Sequence, residues 1–422
     1  MKPNNQDHIK RLTKLHLNYE IKSKIDIESL LNLSSELLKK NDMYLYSWAM
    51  YILCEYYLKS RNHNAYLPYF AEFQKVADNR QGYPAVYCLI LDALYSMHGK
   101  RDIDTCLENA EKALLLYRES KLTDQFCLFQ IYYVFGMAYN IIGDFENAYR
   151  NFIFALQCKL HKPFIFMKGS IYDNLGNLEL RFEYHRAALN HFQKSAEIFK
   201  KYSLDYEYHG TLNQIAALQL KLNLFDKALV TLQEAQEYFT KNKLEHTYEA
   251  LLAQSLFGIY YIEKADYEKA KEHILPLLKE QNPFLISNAH RDLAHIYTKM
   301  NEIDKAYKHY LEAVELDNKG QYIYGVIDIY ICIAKMFIES KNYEKANEYI
   351  DKTETIMADL DSMRFKLRLY ETQIGYYKGL ENYKETVHYF ELYTETLKKT
   401  HTNTLQTIVE HHEIKSQIAL SY

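Results

Sequence analysis

A short phrase recurs along this chain: an aromatic or aliphatic residue, two polar residues, then alanine. Its spacing limits the fold more than any other feature of the sequence. The phrase reads Phe145-Glu146-Asn147-Ala148, Phe225-Asp226-Lys227-Ala228 and Tyr267-Glu268-Lys269-Ala270, and returns as Ile303-Asp304-Lys305-Ala306 and Tyr343-Glu344-Lys345-Ala346. Ala188 fills the same slot, and at the same interval the slot falls on Tyr66, Cys106 and Thr386. Successive spacings are 40, 42, 40, 40, 42, 36, 40 and 40 residues, which gives nine repeats with a mean period of 40. Such a period marks a stack of supersecondary units, none of which buries its apolar face alone.

Each unit reads as two helices. In the third repeat Tyr132, Phe135, Gly136 and Tyr139 share one helical face, and Ala148, Phe152 and Ala155 share another. The polar pair Gly143-Asp144 separates them as a short turn. Twelve residues before the slot the chain is mostly small, with Cys54, Gly136, Gly176, Ala216, Gly258, Ala294 and Ala334 against Leu94 and Ile374. Three residues further on stand the aromatics Tyr57, Tyr139, Tyr261, Tyr297, Phe337 and Tyr377. Small residues at a fixed register predict close helix crossings, and the bulky partners four residues after the slot (Phe152, Leu232, Tyr310) fill the space beside them. With 12 Gly and 6 Pro in 422 residues, little material remains for hairpins or phosphate-cradling loops, so the expected class is all-α.

Small at the eighth position, aromatic at the eleventh, alanine at the twentieth, bulky at the twenty-fourth and small at the twenty-seventh is similar to the tetratricopeptide-repeat signature. The resemblance spans roughly residues 47–400 and is strongest from 129 to 360. It implies a right-handed α-solenoid of nine helix-turn-helix units. The sequence departs from the family in its period, which exceeds the usual ~34 residues, in lacking the proline at the repeat end, and in its degenerate first two and last units. The longer period resembles the peptide-sensing tetratricopeptide regulators of bacterial signalling. Residues 1–46 are expected as a helical cap built on a degenerate leading unit, with Ile27, Leu30, Leu31, Leu33 and Leu37 as its apolar set. Residues 401–422 are expected as a C-terminal helix carrying Leu405, Ile408, Val409 and Ile418. That tail has three candidate roles: capping the stack, pairing with a second copy as a homodimer, or leading to an output domain.

The resemblance also implies that helix A of each unit lines a concave surface, with its positions 2, 5, 9, 12 and 13 turned inward. In this register the middle repeats present Gln130, Tyr133 and Asn140, then Asp173, Asn177 and Arg181, then Asn213 and Lys221. Further along come Asn288, Arg291, His295 and Lys299, then Asp328 and Lys335. Asparagine offers both a donor and an acceptor, which suits gripping an extended peptide backbone whatever its side chains. Arg291, Lys299 and Lys335 suit a carboxylate, and Tyr133 an aromatic anchor. The bland alternative is that these residues are the wet surface every solenoid has.

Other chemistry is poorly signalled. The 51 basic and 55 acidic residues are interspersed, with a formal net charge of −4, so no basic footprint for nucleic acid stands out. Cys54, Cys88, Cys106, Cys127, Cys158 and Cys332 form no CxxC pair and read as buried small hydrophobes in a reducing compartment. The start of the chain lacks a signal-peptide core, and no apolar run is long enough to cross a bilayer, so a cytoplasmic, non-membrane protein is expected. There is no Walker A loop, GxGxxG, HExxH or GxSxG. His411-His412 point in different directions on a helix, and neither a metal nor any other cofactor is expected. The leading expectation is a non-enzymatic regulator that binds a peptide or partner protein. A constitutive assembly scaffold and a phosphatase-like regulator of response regulators are the alternatives.

Overall fold

The computed structural model describes residues 3–399 apart from 23–25, 79–80, 182–183, 321, 359 and 361. Within it the repeats appear as helical pairs. A leading pair, α1 (Pro3–Lys22) and α2 (Ile27–Lys39), precedes α3 (Met43–Lys59) and α4 (His63–Ala77). Then come α5 (Tyr83–Tyr95) with α6 (Ile103–Glu119), α7 (Gln125–Ile142) with α8 (Phe145–Gln157), and α9 (Met167–Arg181) with α10 (His185–Lys201). After these follow α11 (Asp205–Lys221) with α12 (Phe225–Lys241), α13 (Tyr248–Glu263) with α14 (Tyr267–Ile274), and α15 (Pro283–Lys299) with α16 (Ile303–Lys319). The series ends with α17 (Ile323–Glu339) and α18 (Tyr343–Met357), then α19 (Met363–Gly379) and a helix over residues 383–399, α20. All the described regular structure is helical. The alanine slot falls at the fourth residue of each second helix, as the arithmetic of the period required.

Two compact units divide the chain, Met1–Thr211 and Leu212–Tyr422, with the boundary inside α11. In the first unit one core joins Leu12, Leu30, Leu33 and Leu37 of the leading pair to Leu45, Tyr51, Phe73, Tyr87 and Phe126. Helix α1 is tied in by its buried His16, whose Nδ1 accepts from Trp48 Nε1 at 3.2 Å. In the second unit, Ile327, Ile329, Ile331 and Ile333 of α17 pack with Tyr310 and Tyr349 in one core, and Ala270, Leu285, Leu293 and Ile296 lie in another.

The slot alanines at 148, 188, 228, 270, 306 and 346 are fully buried. The glycines explain why the register is tight. A Cβ on Gly136 would lie 2.5 Å from the Phe152 ring, one on Gly176 would lie 2.7 Å from Phe192, and one on Gly258 would lie 2.5 Å from Ile274 Cγ1. Carbon atoms prefer ~3.5–4.0 Å, so the bulky residue of the second helix sits directly over the small residue of the first.

The turns resolve the shortage of glycine. Between the helices of a pair the chain passes through one left-handed residue: Arg61, Arg101, Asn223, Ala265, Asn301, Lys341 and Glu381 have φ between 55° and 59°, and Gly143 has φ 85°. The N–H of Lys341 donates to Ile338 C=O at 3.0 Å, and that of Asn342 to Phe337 C=O at 2.8 Å. This crossed pair closes the end of α17. The next helix then starts on a side-chain cap: Asn62, Asp102, Asp144, Asp266 and Asn342 each accept the backbone N–H three residues on. One irregular interval also has a local cause. Pro276 lies just past the end of α14, which stops at eight residues and continues as a 3-10 turn, Leu275–Lys279. This is where the repeat spacing shortens to 36 residues.

Candidate recognition faces of the two units

In the second unit the first helices of three successive repeats bring charged side chains together. Asp328 of α17 pairs with Arg368 of α19 and faces Arg291 of α15 at 3.9 Å. Arg291 also donates to Asn288 Oδ1, and Lys335 Nζ meets Glu371 Oε2 at 2.6 Å. Arg291, Asp328 and Arg368 are half-buried, with side-chain exposures of 30, 22 and 30%. Burial pushes the Arg368 guanidinium below its ordinary value, Glu371 beside it acts the other way, and Arg291 adds to the lowering. Of the three helices α17 is largely apolar, carrying four core isoleucines, so Asp328 is a charged residue set in an apolar helix between more polar neighbours. Its geometry offers a carboxylate a site between two guanidiniums, now filled by the chain's own Asp328.

Of the residues singled out from the sequence, Asn288, Arg291, Asp328 and Lys335 join this ladder. His295 and Lys299, also on α15, are exposed. Lys221 of α11 is exposed too. Asn213 is placed otherwise than expected. It is fully buried and donates through Nδ2 to the backbone carbonyl of Glu249 at 2.8 Å, which ties α11 to α13. Its buried position and this bond make it a tie between neighbouring repeats.

In the first unit Asn177 and Arg181 are exposed, and the Arg181 guanidinium lies 5.0 Å over the Phe145 ring. Asp173 accepts from Thr211 Oγ1 at 3.1 Å. Asn140 is half-buried, with Oδ1 lacking a hydrogen-bond partner. Gln130 and Tyr133 line a cavity of about 520 Å³ together with Glu55, Lys59, Arg61, His98 and Arg101.

Several of these contributors escaped the sequence reading although the signal was present. Arg368 and Glu371 occupy positions 2 and 5 of the ninth repeat, and Glu55, Lys59 and His98 occupy inward positions of the first two. The outer repeats match the signature poorly, which weakens the inward rule there. Arg61 and Arg101 had no such signal, since they belong to turns.

The C-terminal tail expected as a helix, with Leu405, Ile408, Val409, Ile418 and the His411-His412 pair, lies outside the described residues. Among the described residues no cluster of three or more metal-ligating side chains occurs, and no helix is long and apolar enough to cross a membrane. Cys54, Cys88, Cys106, Cys127 and Cys158 are buried, Cys332 is half-buried, and burial raises all six thiols.

Comparison with known proteins follows the same lines. The Tetratricopeptide repeat family profile matches residues 292–319, the junction of α15 and α16. Among solved structures, a Rap protein complexed with Competence and Sporulation Factor is similar with a TM-score of 0.62 at 15% identity, over 84% of this chain and 98% of that one. The apo form of RapI gives 0.54 at 15% identity, over 65% and 98%. NprR in complex with its cognate peptide NprX gives 0.51 at 18% identity, over 88% and 98%. No curated protein matches the sequence. At these identities the likeness is one of fold: the chain is an all-α solenoid of tetratricopeptide-type repeats, similar in architecture to those proteins.

Proposed function

We propose that this chain is a cytosolic tetratricopeptide regulator that binds a peptide, or an extended segment of a partner protein, on the inward helix faces of its second unit. One observation carries the reading: the half-buried ladder Arg291–Asp328–Arg368, flanked by the exposed pair Lys335–Glu371, set across the first helices of three successive repeats around the apolar α17. Holding ions in such a place costs desolvation, and stability alone is served as well by apolar residues. A peptide with an acidic side chain or a free C-terminus replaces Asp328 between the two guanidiniums by charge-assisted bonds. The displaced Asp328 then changes how α17 meets α15 and α19, which gives binding a route to a conformational response. The relatives of similar fold that carry a peptide or factor in their structures support the ligand class. Neither the ladder nor the cavity pairs a nucleophile with a base, so we read the chain as a binding protein rather than an enzyme. Its dispersed charge favours a protein partner over nucleic acid.

The test uses the full chain and an Arg291→Ala/Lys335→Ala variant, each used to capture ligands from the source cytosol, with the low-mass eluate sequenced by mass spectrometry. Synthetic copies of any enriched peptide are then titrated. A peptide with an acidic residue or a required free C-terminus, binding the variant at least tenfold more weakly, is the expected result. Equal affinity for both proteins, with unchanged circular dichroism, overturns the assignment of the site.

A further inference from the structure

The cavity of the first unit has a chemistry of its own. Its walls are the buried Leu58, Leu94 and Met97, and its floor holds two polar side chains almost wholly removed from water, Glu55 at 6% exposure and Gln130 at 2%. Glu55 Oε1 accepts from Tyr51 at 2.8 Å, while Glu55 Oε2 and Gln130 Nε2 have no hydrogen-bond partner. A buried donor and a buried acceptor left open beside one space of about 520 Å³ are expected to be satisfied by whatever fills it. Around the mouth stand Lys59, Arg61 and Arg101, with His63 and His98. Both arginines stand at the left-handed turns described above, and Met97 and His98 are delivered by a π-helical turn, Ser96–Lys100, which extends α5. Such turns collect at ligand sites.

Charge selects the ligand. Lys59 Nζ lies 3.4 Å from Glu55 Oε1, so one cation is matched and two guanidiniums remain in excess. Burial, Arg61 and Lys59 together hold the His98 imidazole below its ordinary value, so it adds no charge near neutrality. A carboxylate leaves one positive charge over, whereas a phosphomonoester, at about −1.5 to −2 near pH 7, balances both. We infer that this cavity binds a small phosphomonoester, its phosphate held by Arg61 and Arg101 and its polar body reaching Glu55 and Gln130. This site stands apart from the peptide ladder of the second unit, and neither proposal depends on the other.

The experiment is isothermal titration of the full chain with phosphoserine, phenyl phosphate, inorganic phosphate and benzoate, repeated on Arg61→Ala/Arg101→Ala and on Gln130→Leu. Melting curves check that each variant folds. The expected result is binding of an organic phosphate at least tenfold tighter than of benzoate, lost by thirtyfold or more in the double variant and weakened severalfold in Gln130→Leu. A phosphoserine-containing peptide serves as a further arm: if it binds better than the free amino acid, the phosphate belongs to a protein partner. Benzoate binding as tightly as phosphate, no binding of any probe, or equal weak binding of phosphate to wild type and double variant overturns the inference. Intact peptide capture by the second unit accompanying any of those outcomes leaves the proposed function standing.

Discussion

Gly136→Ala is the substitution whose effect follows most directly from the packing. In an open helix the change stabilises by about 1 kcal/mol, because alanine loses less backbone freedom on folding. Here the new methyl arrives 2.5 Å from two carbons of the Phe152 ring, about 1 Å inside contact distance. Phe152 is fully buried, so the ring lacks free space to retreat into. Overpacking of this kind costs about 1–3 kcal/mol, and set against the gain of about 1 kcal/mol the net loss should be about 0–2 kcal/mol. In a Phe152→Ala background, already weakened by about 3–5 kcal/mol, the ring is gone and the same glycine change should stabilise by up to ~1 kcal/mol. The effect therefore moves from destabilising to stabilising, with a coupling of about 1–3 kcal/mol. Gly375, whose Cβ would meet nothing within 4 Å, is the control and should gain about 0.5–1 kcal/mol as alanine. Urea unfolding followed by circular dichroism gives these values, with hydrogen exchange at α7 and α8 as the local readout, since stacked repeats often unfold in parts. Additive effects of the glycine and phenylalanine changes, or stabilisation by Gly136→Ala alone, would refute the assigned crossing.

Three further outcomes are expected. His273, His290 and His309 are all held below the ordinary value of 6.5, chiefly by burial, and His290 and His309 have Nδ1 atoms 2.9 Å apart. The unfolded chain then binds protons before the folded one, so the stability held above pH 6.5 is lost as the pH falls below it; the melting temperature of wild type should fall relative to that of His309→Phe between pH 7.5 and 5, and an unchanged difference would reject the assignment. Burial pushes the Asp292 carboxyl up to about 7, so its cost grows as the pH rises from near 3.8 and is complete above 7; Asp292→Asn should leave the melting temperature unchanged near pH 4 and raise it at pH 8, and a rise at both would reject the assignment. Asp144 accepts from the Asn147 N–H at 3.1 Å and from its Nδ2 at 2.7 Å, and Asp144→Ala should cost about 1 kcal/mol in urea unfolding.

The helical pairs were legible because a period is a long-range signal that needs no contact to be known. Fixing Ala148 and Ala306 in the slot fixed the start of α8 and α16, and the small residues at 136, 176 and 258 announced the crossings now seen. Turns were less legible. A lysine such as Lys341 gives no hint of a positive φ, since its conformation is imposed by the hydrogen bonds that close α17. The candidate sites were legible by position and not by partner. Asn213 and Arg291 both stand at position 5 of a first helix, yet one is sealed against Glu249 and the other joins an ion ladder. That difference depends on the neighbouring repeat, whose side chains a local spacing rule leaves out.

The turns that join the helices of each pair have a consequence for how such a chain changes over generations. Among the described turns the left-handed residue is an arginine, asparagine, alanine, lysine or glutamate with φ of 55° to 59°, and once a glycine with φ 85°. Backbone hydrogen bonds and the capping side chain that follows set the path of the chain, and the side chain at the bend is left unassigned. Exchange among residues that tolerate this backbone conformation therefore alters what the protein displays while the path of the chain is kept. Arg61 and Arg101, both at such bends, are accordingly positions where ligand preference can drift across related sequences while the stack beneath them persists.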